Sequence, residues 1–334
     1  MPFETSTARL RAVLNGFAGK RILVIGDLML DEFVWGKVSR ISPEAPVPVV
    51  TVTGESYYPG GAANVARNVR ELSAEVAVMG LIGADAAGSR LLQLLQDSGI
   101  DASAITREEG FSTILKTRVI ARNQQVVRID RERIAPLSDA QAEQSMRYFD
   151  RSIAAVDGII VADYGKGFVT QAVADYICGA ARKHGKILTV DPHPYTSLAW
   201  KGATAIKPNR SEAFLAASLP PSDPVTPVWE DAALLEAGAR LRKLWSAGSL
   251  LITLGEQGML LIREDAPPRH TPTRAKTVFD VSGAGDTAIS VLTLSLAAGA
   301  SPEEAAELAN LASGIVVGKL GTATVTVSEL LAGL

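Results

Sequence analysis

The sequence predicts an α/β fold, in which a doubly wound, mostly parallel sheet is flanked by helices and carries a small antiparallel β lid. Short β-branched segments alternate with helical segments along most of the chain, which is the pattern of a parallel sheet covered by helices. Two extended segments are not followed by a crossover helix and do not fit that sheet. At 334 residues and 47% hydrophobic content, the chain suffices for one large core.

The regular elements follow from this alternation in chain order. Strands are predicted at 21–26, 75–82, 158–162, 186–191, 203–207 and 250–254. Helices are predicted at 61–72, 88–98, 139–154, 170–184, 211–217, 231–246, 283–298 and 301–317. The sequence has no internal repeat and no low-complexity linker. We therefore expect residues 1–334 to form one domain into which the lid is inserted.

The lid is predicted from the two segments that lack a crossover helix. Residues 46–52 are extended and edged by prolines, and residues 113–120 with 125–129 are predicted to form a hairpin that turns at 122–124. These segments place the lid at about 33–53 and 112–130. Such a flap commonly covers an active site, and its exposed strand edges favour a homodimer formed through two lids.

Charge and cysteine content exclude several classes of function. The formal net charge of −3 comes from 33 basic and 36 acidic residues without a long run of either sign, so neither nucleic acid nor a membrane is an expected partner. The one cysteine, Cys178, cannot form an internal disulfide and is predicted to be a buried helical residue. There is no signal-like N-terminus and no apolar stretch near about 18 residues, so we expect a soluble, cytoplasmic protein.

The histidines give no sign of a zinc site. His184, His193 and His270 lie far apart in sequence, without the spacing of metal ligands. Any metal must then be held by oxygen atoms, which favours magnesium.

The most informative segment is Asp-Val-Ser-Gly-Ala-Gly-Asp-Thr at residues 280–287, which leads into an apolar helix. A Gly-Ala-Gly turn that opens a helix directs unpaired N–H groups and the positive end of the helix dipole at an anion, so Gly283, Ala284 and Gly285 are candidate ligands. Asp286 is a carboxylate beside that anion site, where it is better suited to act as a base than as a binder. The alternative is plain turn chemistry with Asp286 favoured by the dipole.

A second group of polar residues lies near the N-terminus. Asp27 and Asp31 follow the first predicted strand, and ligands of open α/β sheets bind outside the carboxyl ends of strands, where these carboxylates would hold polyol hydroxyls. The alternative for Asp27 is a turn cap. Gly60 and Gly61 precede a helix and allow a substrate to touch the backbone, and Asn64 in its first turn can both donate to and accept from hydroxyls.

The segments at 60–66 and 280–287 together resemble the two hallmark segments of the ribokinase-like (PfkB) carbohydrate kinase family. Their order, separation and strand-to-helix settings match, and the resemblance covers nearly the whole chain. It implies phosphoryl transfer from ATP to a sugar hydroxyl, with Asp286 as general base and the N–H groups of Gly283, Ala284 and Gly285 as the anion hole. Ser282 stands where the family usually has threonine and keeps the hydroxyl.

The resemblance also implies a site for Mg-ATP. The segment Lys-Pro-Asn-Arg-Ser-Glu at 207–212 resembles the family's Asn-x-x-Glu element, in which Asn209 and Glu212 organise the magnesium-bound triphosphate, Glu212 through water, with Arg210 and Ser211 beside them. Without the family, Asn209 is a helix cap and Glu212 completes a capping box.

Residues 253–258 resemble the family's nucleotide loop, and a late helix is implied to flank the adenine. The implied contacts are Thr253, Gly255, Gln257, Gly258, Val278, Asn310, Ser313 and Val317. For Val278 and Val317 the alternative is a simple core position.

Three segments, 26–31, 39–49 and 317–322, look like those of the bacterial D-glycero-D-manno-heptose-7-phosphate kinases of ADP-heptose synthesis. A phosphorylated substrate requires a second anion site, for which the lid and sheet edge offer Lys116, Arg118, Arg122, Arg128 and Lys166. In an extended arm, residues 116, 118 and 122 project from one face. The alternative is that these are solvated lid charges.

The resemblance implies phosphorylation of heptose 7-phosphate at the anomeric hydroxyl, giving the 1,7-bisphosphate, as the β-anomer, for ADP-heptose and lipopolysaccharide core synthesis. Relatives that carry both pathway steps have a fused nucleotidyltransferase domain, which is not expected in this chain. Two alternatives remain. One is another kinase of the family, acting on ribose, fructose or fructose 6-phosphate. The other is a non-catalytic sugar-phosphate sensor.

Overall fold

The structure, a computed structural model, describes residues 6–122, 124–275 and 277–334. The strands of the described chain are β1 (Arg21–Gly26), β2 (Leu28–Ile41), β3 (Pro48–Gly61), β4 (Glu75–Gly83), β5 (Asp101–Glu108), β6 (Ile114–Ala121), β7 (Gln124–Arg131), β8 (Gly158–Ala162), β9 (Ile187–Asp191), β10 (Ala205–Ile206), β11 (Ser249–Thr253), β12 (Met259–Arg263) and β13 (Arg269–Thr271). The helices are α1 (Thr7–Asn15), α2 (Ala62–Glu71), α3 (Ala86–Asp97), α4 (Asp139–Ser152), α5 (Gln171–Lys183), α6 (Arg210–Ala216), α7 (Ala232–Trp245), α8 (Ala284–Ala297), α9 (Pro302–Val316) and α10 (Val327–Gly333).

The larger sheet has the strand order β13-β12-β11-β10-β9-β8-β1-β4-β5. All pairings from β11 to β5 are parallel, and β12 and β13 add antiparallel strands at one edge. Its central strands are buried on both faces, as the continuous apolar runs of β1 and β8 require. This is the doubly wound, mostly parallel sheet that the sequence predicts.

Helices cover both faces of this sheet. One apolar core packs α1, α2, α3, α8, α9 and α10 against one face, and a second core packs α4 to α7 against the other. Helix α8 is buried on all sides from residue 287 to residue 296 and runs through the first core, so its N-terminus is held firmly at the sheet edge. Cys178 is a buried residue of α5, as predicted, and burial raises the pKa of its thiol to about 11.

The eight predicted helices and six predicted strands are all present, with ends within two residues of those expected. The short helices α1 and α10 and the strands β5, β12 and β13 were not predicted. Strand β5 lies at the sheet edge and is polar and half-exposed, so it lacks the apolar run that identifies the inner strands. Within the described ranges, no helix is long and apolar enough to cross a membrane.

The lid is a separate sheet of four strands in the order β3-β2-β6-β7. The β2–β3 and β6–β7 pairings are antiparallel, and the central β2–β6 pairing is parallel. Strands β2 and β3 have 14 residues each and extend well beyond the predicted segment 46–52. Strand β2 begins in the protein core at Leu28, and strand β3 ends there at Gly61. The lid therefore extends directly from the two segments predicted to bind a sugar. The predicted turn at 122–124 includes residue 123, which lies outside the described residues.

Candidate active site

Three adjoining cavities lie at the carboxyl ends of the parallel strands. The central cavity, of about 640 Å³, is lined by Asp191, Lys207 and Glu212 among others. The apolar slot, of about 510 Å³, lies between the 253–259 segment and α9. The lid cavity, of about 340 Å³, lies under β2, β3 and β6. Gly285 lines both the central cavity and the apolar slot, and Asp286 lines both the central cavity and the lid cavity.

Asp286 lies at the junction of the central and lid cavities, in the first turn of α8. Its Oδ2 accepts a hydrogen bond from Asn64 Nδ2, and its Oδ1 accepts one from the Tyr164 hydroxyl, each at 2.6 Å. Burial raises the pKa of Asp286 to about 6, and these two hydrogen bonds oppose the rise. Near neutral pH the carboxylate is therefore ionised, while its pKa lies close enough to the working range for proton transfer.

The start of α8 forms the anion cradle that the Gly-Ala-Gly segment predicts. Gly283 is left-handed at φ 79°, and a Cβ there would lie 3.3 Å from Asn64 Nδ2. The amides of Gly285 and Asp286 are in the first helical turn and have no intrahelical acceptor. The Ala284 amide differs from the prediction, because it donates to the Val281 carbonyl at 3.2 Å and closes the turn.

A buried ion pair between Lys207 and Asp191, which sequence reasoning missed, faces this cradle. Lys207 Nζ lies 2.9 Å from Asp191 Oδ1, and a Cβ on Gly285 would lie 3.5 Å from the same Nζ. Burial alone would lower the pKa of Lys207, but Asp191 and Glu212 outweigh it and the pKa is raised. Both residues are the last residues of predicted strands, a position that could have identified them.

The 209–212 segment caps α6 and lines the central cavity as well. Asn209 Oδ1 accepts from the Glu212 amide at 2.9 Å, and Glu212 Oε2 accepts from the Asn209 amide at 2.7 Å, which is the capping box of the alternative interpretation. Ser211 Oγ donates to Asn209 Oδ1 at 2.7 Å. Burial, and then the charge of Asp191, raise the pKa of Glu212. Arg210, which also lines this cavity, forms an ion pair with Asp231 at 2.8 Å.

The apolar slot brings together all but one of the predicted adenine contacts. Thr253, Gly255, Gly258, Val278, Asn310, Ser313 and Val317 line it. Val278 is 60% exposed, which excludes a core position for it. Gln257 does not line the slot, because its side-chain amide donates to the Val225 carbonyl and to Thr226 Oγ1, each at 3.0 Å. Gly314, which was not predicted, does line the slot.

The lid cavity is lined by the predicted residues Asp31, Gly60, Gly61 and Asn64. Met29, Tyr164, His193, Ser282 and Thr322 also line it and were not predicted as ligands. A Cβ on Gly60 would lie 2.5 Å from Asp31 Oδ2, and Gly61 is left-handed at φ 57°. Glycine is therefore required at both positions, where the end of β3 borders the lid cavity.

Four of the five predicted cations line the lid cavity, namely Lys116, Arg118, Arg128 and Lys166. The prediction for Arg122 is wrong. Strand β6 ends at Ala121, and Arg122 is an exposed turn residue with φ 51°. The period-two argument that grouped Arg122 with the others holds only within an extended strand, and Arg122 lies beyond the end of β6.

Each of these four cations pairs with a carboxylate. Lys116 and Arg128 lie 3.0 and 2.9 Å from Asp130, and Lys166 lies 2.8 Å from Glu132. Arg118 lies 2.5 Å from Asp31. Hydrogen bonding to Lys166 holds the pKa of Glu132 below its usual range. Sequence reasoning selected the cations but missed Asp130 and Glu132, because the pairing depends on the registry of β7 against β6.

Asp27 does not reach the lid cavity, contrary to the prediction that it binds a sugar. Its Oδ2 accepts from the backbone amides of Tyr164 and Lys166, and its Oδ1 accepts from that of Phe168, each at 3.0 Å. The residue is 3% exposed, and burial raises its pKa against these three amides. Asp27 thus caps the loop at 163–168, close to the alternative interpretation.

A protein-family model described as pfkB family carbohydrate kinase matches residues 20–329. The chain belongs to the pfkB family of carbohydrate kinases. The predicted resemblance is confirmed over nearly the whole chain.

Curated relatives of this pfkB chain include two proteins named bifunctional protein HldE. That of Desulfatibacillum aliphaticivorans is 45% identical over 318 residues, and that of Caulobacter vibrioides is 44% identical over 320 residues. Each alignment covers 95% of this chain and 64% of the relative, so the chain spans less than two thirds of the length of either.

Solved structures show the same pfkB fold. Arabidopsis thaliana ribokinase complexed with ribose and ATP superposes with a TM-score of 0.71 at 18% identity, covering 95% of this chain and 98% of that one. Escherichia coli phosphofructokinase-2 in complex with substrates and products gives a TM-score of 0.71 at 20% identity, covering 94% and 98%. The α/β fold and its β lid are therefore those of the ribokinase-like kinases.

Proposed function

We propose that the protein transfers the γ-phosphoryl group of ATP to the anomeric hydroxyl of D-glycero-D-manno-heptose 7-phosphate. The product is the 1,7-bisphosphate, as the β-anomer, made in the cytoplasm for ADP-heptose and lipopolysaccharide core synthesis. The observation that carries this proposal is the Asp286 carboxylate, ionised near neutral pH and shared by the central and lid cavities. Membership of the pfkB family and the HldE relatives support the reaction class and the substrate.

In the proposed reaction, Asp286 accepts the proton of the anomeric hydroxyl, which lies in the lid cavity. The hydroxyl oxygen forms a bond to the γ-phosphorus, the bond from that phosphorus to the β–γ bridging oxygen breaks, and ADP leaves. The amides of Gly285 and Asp286 at the α8 N-terminus, together with Lys207, stabilise the charge on the moving phosphoryl group. Positioning and charge stabilisation are the main requirements of such a transfer.

ATP fits the two remaining cavities. The central cavity has polar walls, with Asn209, Ser211 and Lys207 available to a triphosphate. The apolar slot accepts the adenine between Val278 and Val317, with Asn310 and Ser313 at its α9 wall. Gly285 lies where the two cavities meet, next to the path of the phosphates.

Magnesium fits the charge balance of the central cavity. Four carboxylates line it, those of Asp163, Asp191, Glu212 and Asp286, against the cations Lys207 and Arg210, and a triphosphate adds further negative charge. Among the residues that the structure describes, no group of three or more His, Cys, Asp or Glu side chains is placed to hold a metal directly. Glu212 would therefore contact the ion through water, the ion keeping much of its hydration shell. Bound magnesium supplies neutralisation of the β- and γ-phosphate oxygens.

The lid cavity has the chemistry of a sugar phosphate site. Asn64 Oδ1 is buried and has no hydrogen-bond partner among the described residues, so it is available to a sugar hydroxyl. Lys116, Arg128 and Lys166 are proposed to bind the 7-phosphate, which would replace Asp130 and Glu132 as their partner. Asp31, held by Arg118, is proposed to accept a second hydroxyl.

The lid is proposed to form a homodimer interface. Large apolar residues are exposed on it, namely Trp35, Ile41, Val52, Val127 and Ile129. Pairing of two lids would cover such a surface and the strand edges together. A mass in solution corresponding to one chain at assay concentration would contradict this part of the proposal.

Measurement of ADP release with a panel of acceptors tests the function. Turnover is expected to be highest with heptose 7-phosphate, and far lower with heptose, ribose, fructose and fructose 6-phosphate. Equal or faster turnover of ribose or fructose 6-phosphate would favour another kinase of the family. If sugar phosphate binds but none of the acceptors supports ADP release, the sensor would be favoured. A sensor, however, has no need for the base Asp286.

A further inference from the structure

Tyr164 makes the one contact to Asp286 that comes from the loop after β8. Its hydroxyl donates to Oδ1 at 2.6 Å, and Tyr164 lines both the central cavity and the lid cavity. Asn64, which lines the lid cavity and not the central one, donates to Oδ2. Burial, and then the charges of Asp286 and Asp191, raise the pKa of Tyr164 far above its usual value. The hydroxyl therefore stays protonated and acts toward Asp286 only as a donor.

The loop that carries Tyr164 depends on Asp27. The three backbone N–H groups that Asp27 accepts belong to Tyr164, Lys166 and Phe168, so a single buried carboxylate at the end of β1 fixes this loop. The same loop extends Lys166 to Glu132, at the base of the lid. One anchor thus sets the position of a group that touches the base and of a cation in the lid cavity.

We propose that Tyr164 is a positioning residue for the base, occupying Oδ1 of Asp286 so that Oδ2, on the lid-cavity side, takes the substrate proton, and that Asp27 holds Tyr164 in that place. This inference rests on the proposed role of Asp286. Oδ2 accepts from Asn64, which lines the lid cavity and not the central one, and this oxygen keeps a second lone pair for a hydroxyl. Fixing the carboxylate from both sides leaves it one rotamer, which a base acting on a bound hydroxyl requires.

Other titratable and charged groups surround the same carboxylate, and of these the charge of Asp191 raises its pKa and that of Lys207 lowers it. They are Asp191 at the end of β9, Lys207 after β10, Asp31 on β2, and Lys166 and His193 in the lid-cavity wall. Asp286 accepts side-chain hydrogen bonds from Tyr164 and Asn64. Removal of the Tyr164 hydroxyl therefore changes the carboxylate and leaves these charges in place.

The first test compares Tyr164→Phe with wild type across pH. Loss of a hydrogen bond to the ionised form raises the pKa of Asp286, so the acid limb of kcat/KM is expected to move to higher pH. We expect kcat to fall by roughly tenfold to a hundredfold, less than the effect of removing a general base. Tyr176→Phe is the matched control, because Tyr176 donates to Asp150 at 2.8 Å on the surface of α5, and it is expected to leave both readouts unchanged.

The second test titrates Asp286 directly, by carboxyl carbon NMR of the protein without substrate, with Asp286→Asn assigning the signal. The midpoint is expected to rise in Tyr164→Phe. A fluorotyrosine at position 164, with fluorine beside the hydroxyl, keeps the ring and is a stronger donor, so it is expected to lower the midpoint. This second variant keeps the test decisive if Tyr164→Phe does not fold.

Asp27→Asn tests the anchor. Its amide has one acceptor oxygen in place of two, so the loop is expected to loosen. We expect kcat to fall and the acid limb of kcat/KM to shift in the same direction as in Tyr164→Phe.

Unchanged midpoints in the Tyr164 variants would overturn the inference even if heptose 7-phosphate is the substrate. Moved midpoints in an enzyme that does not phosphorylate heptose 7-phosphate would support the inference and refute the proposed substrate.

Discussion

The side-chain amide of Asn64 donates to Asp286 Oδ2 at 2.6 Å, joining two segments that lie 222 residues apart. The N-termini of α2 and α8 thereby meet over the same point, one at the lid cavity and the other at the central cavity. A sugar hydroxyl and a triphosphate brought to these two cavities would approach each other at the Asp286 carboxylate.

The pH dependence of turnover is the first prediction. Because burial raises the pKa of Asp286 to about 6, and the base acts when it is ionised, kcat/KM is expected to fall about tenfold per unit below that pH. Asp163, which also lines the central cavity, has a pKa raised by burial to about 6 and is the competing assignment. In Asp163→Asn, kcat/KM is expected to fall at low pH as in wild type. If the fall at low pH disappears in that variant, it would be assigned to Asp163.

Gly60→Ala is expected to weaken sugar binding. The new Cβ would lie 2.5 Å from Asp31 Oδ2 and would displace that carboxylate from the lid cavity. Steady-state kinetics should show a raised KM for the sugar phosphate with little change in the KM for ATP. Gly54→Ala, in the same strand, has nothing within 4 Å of the added Cβ and serves as the control. Equal effects of the two variants would argue against a sugar site at Asp31.

Lys166→Gln is expected to reduce discrimination for a phosphorylated sugar. A charged hydrogen bond contributes about 1.5–3 kcal/mol, which corresponds to a rise in KM of roughly tenfold or more. The rise should be confined to heptose 7-phosphate and absent with unphosphorylated heptose. Arg122→Gln, on the exposed turn outside the cavity, should change neither. A uniform loss with both sugars would show that Lys166 acts on the lid instead of on the phosphate.

Lys207→Met is expected to affect both stability and catalysis. It leaves Asp191 without its buried partner, at a cost of about 3 kcal/mol in the free energy of unfolding measured with urea. Adding Asp191→Asn removes the uncompensated charge and should recover much of that loss. Turnover should stay about a hundredfold or more below wild type in both variants, because the cation beside Gly285 is absent. Recovery of turnover with stability would assign Lys207 a purely structural role.

Much of the fold could be predicted because its helices and inner strands follow local periodicity. The full length of the 14-residue lid strands could not be predicted. Each of β2 and β3 is buried at one end and exposed at the other, so no single pattern of apolar and polar residues runs along the strand. Residues of the site within glycine motifs, such as Gly61 and Asp286, were predictable from the chemistry those motifs perform.

The contacts that complete the site depend on long-range geometry. Tyr164 meets Asp286 across 122 residues, and the ion pair of Lys207 with Asp191 depends on β10 packing beside β9. Asp27 was assigned to a sugar because its position at a strand end is shared with true ligands. In the folded protein, three backbone amides already donate to its carboxylate. Arg122 does not join the other cations because β6 ends at Ala121, and the alternation of an extended strand does not continue into the turn.

The role of Asp286 is tested most directly by the turnover of Asp286→Asn with Mg-ATP and heptose 7-phosphate, followed by phosphorus NMR of the product. Asparagine keeps the size of the side chain and cannot accept the proton, so kcat is expected to fall by about a hundredfold to ten-thousandfold while ATP still binds. Wild type should form the 1,7-bisphosphate. A folded Asp286→Asn protein that turns over at the wild-type rate would contradict the account.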